Sequence, residues 1–560
     1  MSKPWLNFYD PEVPDELIIP PFTLPDLLRN AAEKYPKQIA TVFMGARLSY
    51  RQLKQQVDNL AASLHKLGIR KGDRVAIMMP NCPQTIIAYY ATVSLGTVTV
   101  MTNPLYVERE LEFQWGDAEV DTVISMDIFW PRIQAVRQKI PFKHVILSSV
   151  QDYLPTIKRY LAPLELRRQG KWVEVNYNDT VHSFSELIKH QRNQPPDIDL
   201  DPEDLACLQY TGGTTGLPKG AILTHRNLIA SLVQIRTFLL SGHQDAEDIA
   251  LAIMPFFHVY GMNGIMNLGI YLAATLVLIP QPEIKTIVEA IVAERPTFFV
   301  GIPALFVALN NYRSFDKVDL TSIKAMFSGA APLPVDVMEK FETRTGARIA
   351  EAYGMTESSS VTHVNPRKGQ RKVGSIGVPI IGTDAKIVDA DDWTKTLAIG
   401  EVGELVVKGP QVMQGYWKAS EETTNALHNG WLHTGDMAYM DEQGYFYIVD
   451  RKKDLILSAG YNIYPREVEE VLYQHPKVLE AAVIGLPDDV RGEKITAYVV
   501  LKPEETATAA EIRAFCRKRL AQYKQPRAVI FRDELPKAMA GKVLRRKLKE
   551  EALAELENKA

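Results

Sequence analysis

The chain has 560 residues, 46% hydrophobic and 23% charged, with 33 Gly and 34 Pro. That is room for about three or four compact units, and it excludes disorder, collagen and coiled coil as the main architecture. Lysine plus arginine is 64 and aspartate plus glutamate is 67, a net charge of -3, so no global field draws nucleic acid or an anionic membrane. Any anion must be held by a local site.

The opening MSKPWLNFYD lacks the basic-then-apolar layout of a signal peptide, and the closing ENKA is no prenylation box. The expected location is the cytosol. Cys82, Cys207 and Cys516 are far apart and odd in number. They fit neither a disulfide framework nor a zinc cluster, and they suit a reducing compartment.

In chain order, residues 53–67 have helical spacing and stop at Gly68. Residues 74–79 read as a short apolar strand, 84–95 as a helix and 97–102 as a strand, with further strands at 121–125, 145–149 and 298–300. Such alternation predicts α/β layers with largely parallel sheets. Residues 75–107 and 249–282 contain no Lys, Arg, Asp or Glu. Each carries internal Pro, Asn and Gly, so each reads as strand, helix, strand and not as a membrane span.

Residues 374–409 are dense in Gly and β-branched side chains and read as a small β-rich unit, with a barrel as one form it could take. The run YFYIVD at 445–450 leads into the charged segment RKKD at 451–454. Beyond it, a helix over 465–473, strands over 481–485 and 495–501 and a helix over 509–520 make a separate α+β unit. The expected division is a large N-terminal domain, 1–450, with layered α/β subdomains and a β-rich subdomain. A hinge at 451–454 connects it to a small mobile α+β domain, 455–560.

The strongest local signal is YTGGTTGLPKG at 210–220. Glycines let the backbone approach a ligand, threonines add hydroxyls and Lys219 adds charge, a combination suited to a polyphosphate. It is not a Walker A loop. Lys219 is followed by Gly220, and the next segment reads as a strand, so a helix dipole is not the holding device.

With FFHVYG at 256–261, YGMTES at 353–358, WLHTGD at 431–436, GYNIYPREVE at 460–469 and AGKVLRR at 540–546, the chain resembles the adenylate-forming superfamily over about residues 20 to 550. Within it the chain is most similar to bacterial long-chain fatty acid–CoA ligases. The resemblance implies a reaction in two halves. A carboxylate attacks the α-phosphate of ATP to give acyl-AMP and pyrophosphate, and the thiol of coenzyme A then displaces AMP. Charge on phosphate and carbonyl oxygens is the burden, so electrostatic stabilisation should dominate.

Residue by residue, the resemblance assigns Thr211, Gly212, Gly213, Thr214, Thr215 and Gly216, with Lys219, to the phosphates. It gives Mg²⁺ to Glu357 and Thr211, and the α-phosphate to Thr356. Adenine would lie on Gly329, Ala330 and Ala331, with Tyr353 stacking and Glu351, Ala352 and Gly354 nearby. Asp436 and Arg451 would hold the ribose. Lys542 would be the adenylation lysine. Gly460, with Ala459, would border the pantetheine channel, and Lys452 or Lys453 would be the hinge. His258, Tyr260, Gly261 and Gly264 would line the acyl site. Catalysis then needs the two lobes to close.

No acidic residue lies between positions 249 and 282 to meet an ammonium, which argues against amino acids. Each buried methylene is worth about 0.8 kcal/mol, so an apolar tunnel can select chain length. A medium-chain or aryl acid and transfer to a carrier protein stay open, as do a homodimer and a peripheral membrane contact. A non-catalytic binding module on the same fold is opposed by the full set of Lys542, Glu357, Asp436 and Arg451.

Overall fold

The computed structural model describes residues 3–170, 172–189, 195–211, 218–240, 242–458, 461–488, 491–537 and 543–557. Among them, strands gather in sheets of nine, seven, five and five. In the seven-stranded sheet, Arg74–Met78, Val98–Met101, Thr122–Met126 and His144–Ser148 run parallel. The hairpin of Leu205–Tyr210 with Gly220–Thr224 closes one edge. The nine-stranded sheet has a parallel centre of Ile249–Ala252, Thr275–Leu278, Phe298–Gly301 and Ala325–Ser328. Strand Ile349–Met355 pairs parallel to that centre and antiparallel to Ser360–Val364.

Local chemistry sets these elements. Ser49 and Gln52 exchange capping hydrogen bonds, so the first long helix starts at Tyr50, earlier than the apolar spacing alone suggests. Helix Pro83–Ser94 carries no charge and is buried except at Ser94. It contacts strands Arg74–Met78 and Val98–Met101, and Tyr90 donates to Asn267 at 2.9 Å on its other side. Both charge-free stretches are therefore interior strand–helix–strand units. Among the described residues no helix is long and apolar enough to cross a membrane.

The β-rich region differs from a barrel. Asp384–Val388, Gly403–Lys408, Trp431–Met440, Leu427–His428 and Phe446–Arg451 form an open antiparallel sheet, and Val378–Pro379 joins the nine-stranded sheet instead. Beyond residue 454, Ile456–Ser458, Tyr461–Ile463, Val478–Asp488, Gly492–Leu501 and Ala528–Phe531 form a sheet with its own apolar cores. Helix Pro465–Tyr473 contacts Val478–Asp488. Cys82, Cys207 and Cys516 are buried free thiols, and burial pushes them up to about 11, 12 and 11.

Candidate active site

Residues 211–219 connect the two strands of the hairpin that pairs Tyr210 with Gly220. Its base is tied by Thr211 N–H donating to the Lys219 carbonyl at 2.9 Å. The chain leaves the loop as a strand, as the sequence predicts, and a helix begins only at His225. Gly212, Gly213, Thr214, Thr215 and Gly216 lie outside the described residues, as do Ala459, Gly460 and Lys542.

A second segment fastens this hairpin to the rest of the site. Ile222 N–H donates to Gly415 at 2.9 Å, Trp417 N–H to Gly220 at 2.8 Å and Met413 N–H to Glu357 at 2.8 Å. Residues 413–417 thus join strand Gly220–Thr224 to the turn Thr356–Ser358. Tyr416 uses this position twice. Its hydroxyl donates to Glu357 Oε1 at 2.7 Å, and Lys219 Nζ lies 5.3 Å from its ring centroid. Lys219 also approaches Glu422 at 3.7 Å. Tyr416 was missed by the sequence reading. The only signal was an aromatic pair after Gly415, which packs equally well in an ordinary loop.

The turn bearing Glu357 leaves a constrained backbone. Ser359 and Ser360 have φ of 55° and 136°, conformations that cost L residues free energy and cluster at functional sites. Gly354 has no room for a side chain, because a Cβ there would meet Ser360 backbone. Thr356 is buried and Glu357 half-buried.

Four residues before Glu357, on strand Ile349–Met355, Tyr353 donates its hydroxyl to Asp436 Oδ2 at 2.6 Å. Asp436 lies directly opposite Arg451 in the antiparallel pair, and Arg451 Nε is 3.1 Å from Asp436 Oδ1. The Asp436 N–H donates to Thr434 Oγ at 3.1 Å. Both carboxylate oxygens of this buried side chain are therefore held, one by a phenol and one by a guanidinium. The Asp436 charge raises the guanidinium of Arg451 above its ordinary range. Burial, then the Asp436 charge, raises the Tyr353 phenol.

These groups open onto a cavity of about 220 Å³, lined by Ala330, Ala331, Ala352, Tyr353, Gly354, Asp436 and Arg451 from the large lobe. Arg466, Glu469, Tyr473 and Arg545 line it from beyond the 451–454 segment. Glu351 also lines it, and burial pushes its carboxyl up to about 7. Its Oε1 accepts from Leu333 N–H at 3.2 Å. Gly329 is closely approached, since a Cβ there would come 2.9 Å from the Tyr260 hydroxyl and 3.1 Å from the Ala352 carbonyl. Tyr260 thereby backs the proposed adenine loop as well as adjoining His258.

His258 caps the turn Val259–Gly261, its Nδ1 accepting from Tyr260 N–H at 3.2 Å. With Nδ1 an acceptor, the ring proton belongs on Nε2. Burial pushes the imidazole down to about 4, so His258 is neutral at pH 7 and offers a donor more readily than a base. Gly261 and Gly269 are packed against neighbours on the side where a Cβ would stand. A Cβ on Gly261 would meet the Pro255 carbonyl at 2.2 Å, and one on Gly269 would meet Leu276 at 2.6 Å. Gly264 has more space, with Ser360 Oγ at 3.3 Å and the Tyr260 ring at 3.4 Å. The helix here runs as a π-turn over Met262–Asn267, a feature with no periodicity signal of its own.

The 451–454 segment is anchored unevenly. Lys452 N–H donates to Gly435 at 3.0 Å, and its Nζ lies 3.6 Å from buried Glu404. Lys453 is exposed. Asp450 receives Arg466 N–H at 2.8 Å and Arg545 at 3.2 Å. Arg545 also pairs with Asp454 at 3.2 Å and Glu469 at 2.6 Å. One buried carboxylate thus joins the two lobes.

As to metal, no group of three or more His, Cys, Asp or Glu that could hold an ion occurs among the described residues. Glu357 is instead a single, partly open carboxylate beside the hairpin. That suits Mg²⁺, which binds through one or two carboxylates with substrate phosphates and water completing its shell.

The hairpin at 210–220, the Asp436 carboxylate held on both oxygens and a cavity lined from both sides of the 451–454 segment make up the candidate site. The chain belongs to the AMP-binding enzyme family: the AMP-binding enzyme model matches residues 28–417, and the model of its C-terminal domain matches residues 467–542. It is 45% identical over 552 residues to a long-chain-fatty-acid–CoA ligase of Bacillus subtilis (strain 168), covering 98% of each chain. It is 39% identical over 564 residues to one of Escherichia coli O157:H7, covering 100% of each. Among solved structures, the anthranilate CoA ligase AuaEII in complex with anthranoyl-AMP superposes with a TM-score of 0.86. That pair is 26% identical, covering 96% of this chain and 99% of the other.

Proposed function

We propose that the protein ligates a long-chain fatty acid to coenzyme A at the expense of ATP, through an acyl-adenylate, releasing AMP and pyrophosphate. The observation that carries this reading is the segment Ile349–Ser358. Its Tyr353 meets Asp436, and four residues on its Glu357 meets Tyr416 beside the phosphate hairpin. Full-length likeness to ligases named for long-chain fatty acids supports the choice of acid.

In the first half, a carboxylate oxygen attacks the α-phosphorus and pyrophosphate leaves. Residues 211–216 and Lys219 bind the leaving phosphates, and Thr356 donates to the α-phosphate. Tyr353 stacks on adenine against Gly329, Ala330 and Ala331, with Glu351, Ala352 and Gly354 lining the same cavity. Asp436 accepts from the ribose hydroxyls while Arg451 fixes its orientation. Glu357, with Thr211, would hold Mg²⁺, which neutralises phosphate charge when bound. Lys542 bridges the carboxylate and the α-phosphate.

In the second half, the thiol sulfur bonds to the acyl carbon, the carbon–oxygen bond to AMP breaks and the thiol proton passes to water. Gly460 and Ala459 border the pantetheine path. His258 donates from Nε2 near the reacting carbonyl, and Tyr260, Gly261 and Gly264 wall the acyl site. The domains are 1–450 and 455–560, and rotation occurs at Lys453, because Lys452 is pinned to Gly435 and Glu404. The reading belongs to a reducing cytoplasm, with contact at the inner face of the membrane that supplies the acid.

The test is AMP release, with and without coenzyme A, across short-alkyl, long-alkyl and aryl acids. Coenzyme A dependence peaking at long alkyl chains is expected. A peak at aryl acids, or equal turnover with a carrier protein, would replace the substrate or acceptor.

A further inference from the structure

Helix Thr156–Arg168 is turned inside out. Ile157, Tyr160, Leu161 and Leu164 recur at helical spacing and face solvent, 77%, 78%, 58% and 68% exposed. The helix rests on the protein through Ala162, Pro163 and Leu166, each only partly buried. Isolated exposed apolar side chains are ordinary, but four on one stripe of one helix mark an interaction surface. Lys158 donates to the Met44 carbonyl at 3.2 Å, tying the start of the helix to a hairpin tip whose Met44 is also exposed.

The charge on this helix distinguishes between partners. Lys158, Arg159, Arg167 and Arg168 oppose the single acidic Glu165. Glu165 is 3.5 Å from Arg168, and Arg167 lies 4.8 Å from the Trp172 ring centroid. The patch is locally basic on a chain of net charge -3. A second copy docked on the same face by two-fold symmetry would bring these like charges together. An anionic lipid surface would attract them, while the apolar stripe enters the headgroup–acyl boundary and Tyr160 sits at the interface.

We propose that helix Thr156–Arg168 is the surface by which this protein docks, peripherally and reversibly, on membranes bearing anionic phospholipid. The proposal gives a surface to the membrane contact put forward above and rests on that part of the reading, but it holds whichever carboxylic acid the enzyme activates.

The test uses the full-length protein in co-sedimentation with phosphatidylglycerol or phosphatidylcholine vesicles at low and high salt. The wild-type protein should partition to phosphatidylglycerol at least about fivefold better than to phosphatidylcholine, with the preference shrinking in salt. Ile157→Ser/Leu161→Ser/Leu164→Ser should lower that partition roughly tenfold or more, with thermal melting and turnover of a water-soluble acid unchanged. Arg159→Glu/Arg168→Glu should abolish the headgroup preference while leaving weak binding to both vesicles. Equal vesicle binding by wild type and triple variant, or no vesicle binding by either, overturns the proposal. So does a wild-type dimer that ignores vesicles and that the triple variant converts to monomer.

Discussion

The Tyr416 hydroxyl donates to Glu357 across 2.7 Å, and the same ring lies under Lys219. One side chain therefore orients the candidate metal carboxylate and steadies the cation at the exit of the proposed phosphate loop. Tyr416→Phe keeps the ring and removes the donor. A hydrogen bond to a charged group is worth about 1.5–3 kcal/mol, or roughly 10–100-fold. The variant should need more Mg²⁺ for half-maximal turnover and lose kcat within that range, with little change in melting. An unaltered Mg²⁺ titration would contradict this role for Tyr416.

Asp436 is held by Tyr353 on one oxygen and by Arg451 on the other. Asp436→Asn preserves shape and removes the charge that both partners address. ATP affinity should fall on the order of 100-fold, about 3 kcal/mol, while the fatty acid KM moves little. Calorimetric titration with a non-hydrolysable ATP analogue measures it directly, and unchanged affinity would remove Asp436 from the ribose site.

The two half-reactions should separate genetically. Lys542→Ala should abolish acyl-AMP formation yet largely spare thioester formation from supplied acyl-AMP. Gly460→Leu should do the reverse, because a side chain would fill the proposed pantetheine path. Single-turnover assays of each half distinguish them, and equal loss of both halves in both variants would refute the division of labour between lobes.

Glu351 lines the inter-lobe cavity with its carboxyl pushed up to about 7 by burial, from 4.5. Between those values the unfolded chain has released a proton that the folded chain retains. Stability contributed by this group therefore falls as pH rises from about 4.5 to 7, by about 3 kcal/mol, and stays lowered above that range. Glu351→Gln should flatten the dependence, giving a melting advantage over wild type that grows across this window. Parallel melting curves for the two proteins would contradict the assignment.

Much of this arrangement was legible beforehand because its signals are local. The charge-free runs at 75–107 and 249–282, with their internal Pro and Gly, are interior strand–helix–strand units. The strand after Lys219 and the helix Pro465–Tyr473 also follow from neighbouring residues. What was not legible depends on distant contacts. Tyr416 reaches Glu357 from 59 positions away, and Arg545 meets Asp450 from 95; no periodicity encodes either. Glycines were ambiguous for the same reason. Gly261 is expected on the acyl wall, and only the folded chain shows that the Pro255 carbonyl stands where its side chain would be. The β-rich region suggested a barrel, but its strands are shared between two sheets.

The decisive measurement follows the substrate oxygen. A fatty acid labelled with oxygen-18 in both carboxyl positions is turned over with ATP and coenzyme A, and the phosphorus products are analysed by mass. Attack on the α-phosphorus followed by thiol displacement should leave one labelled oxygen in AMP and none in pyrophosphate. Unlabelled AMP, or label appearing in inorganic phosphate beside ADP, would mean that no acyl-adenylate forms.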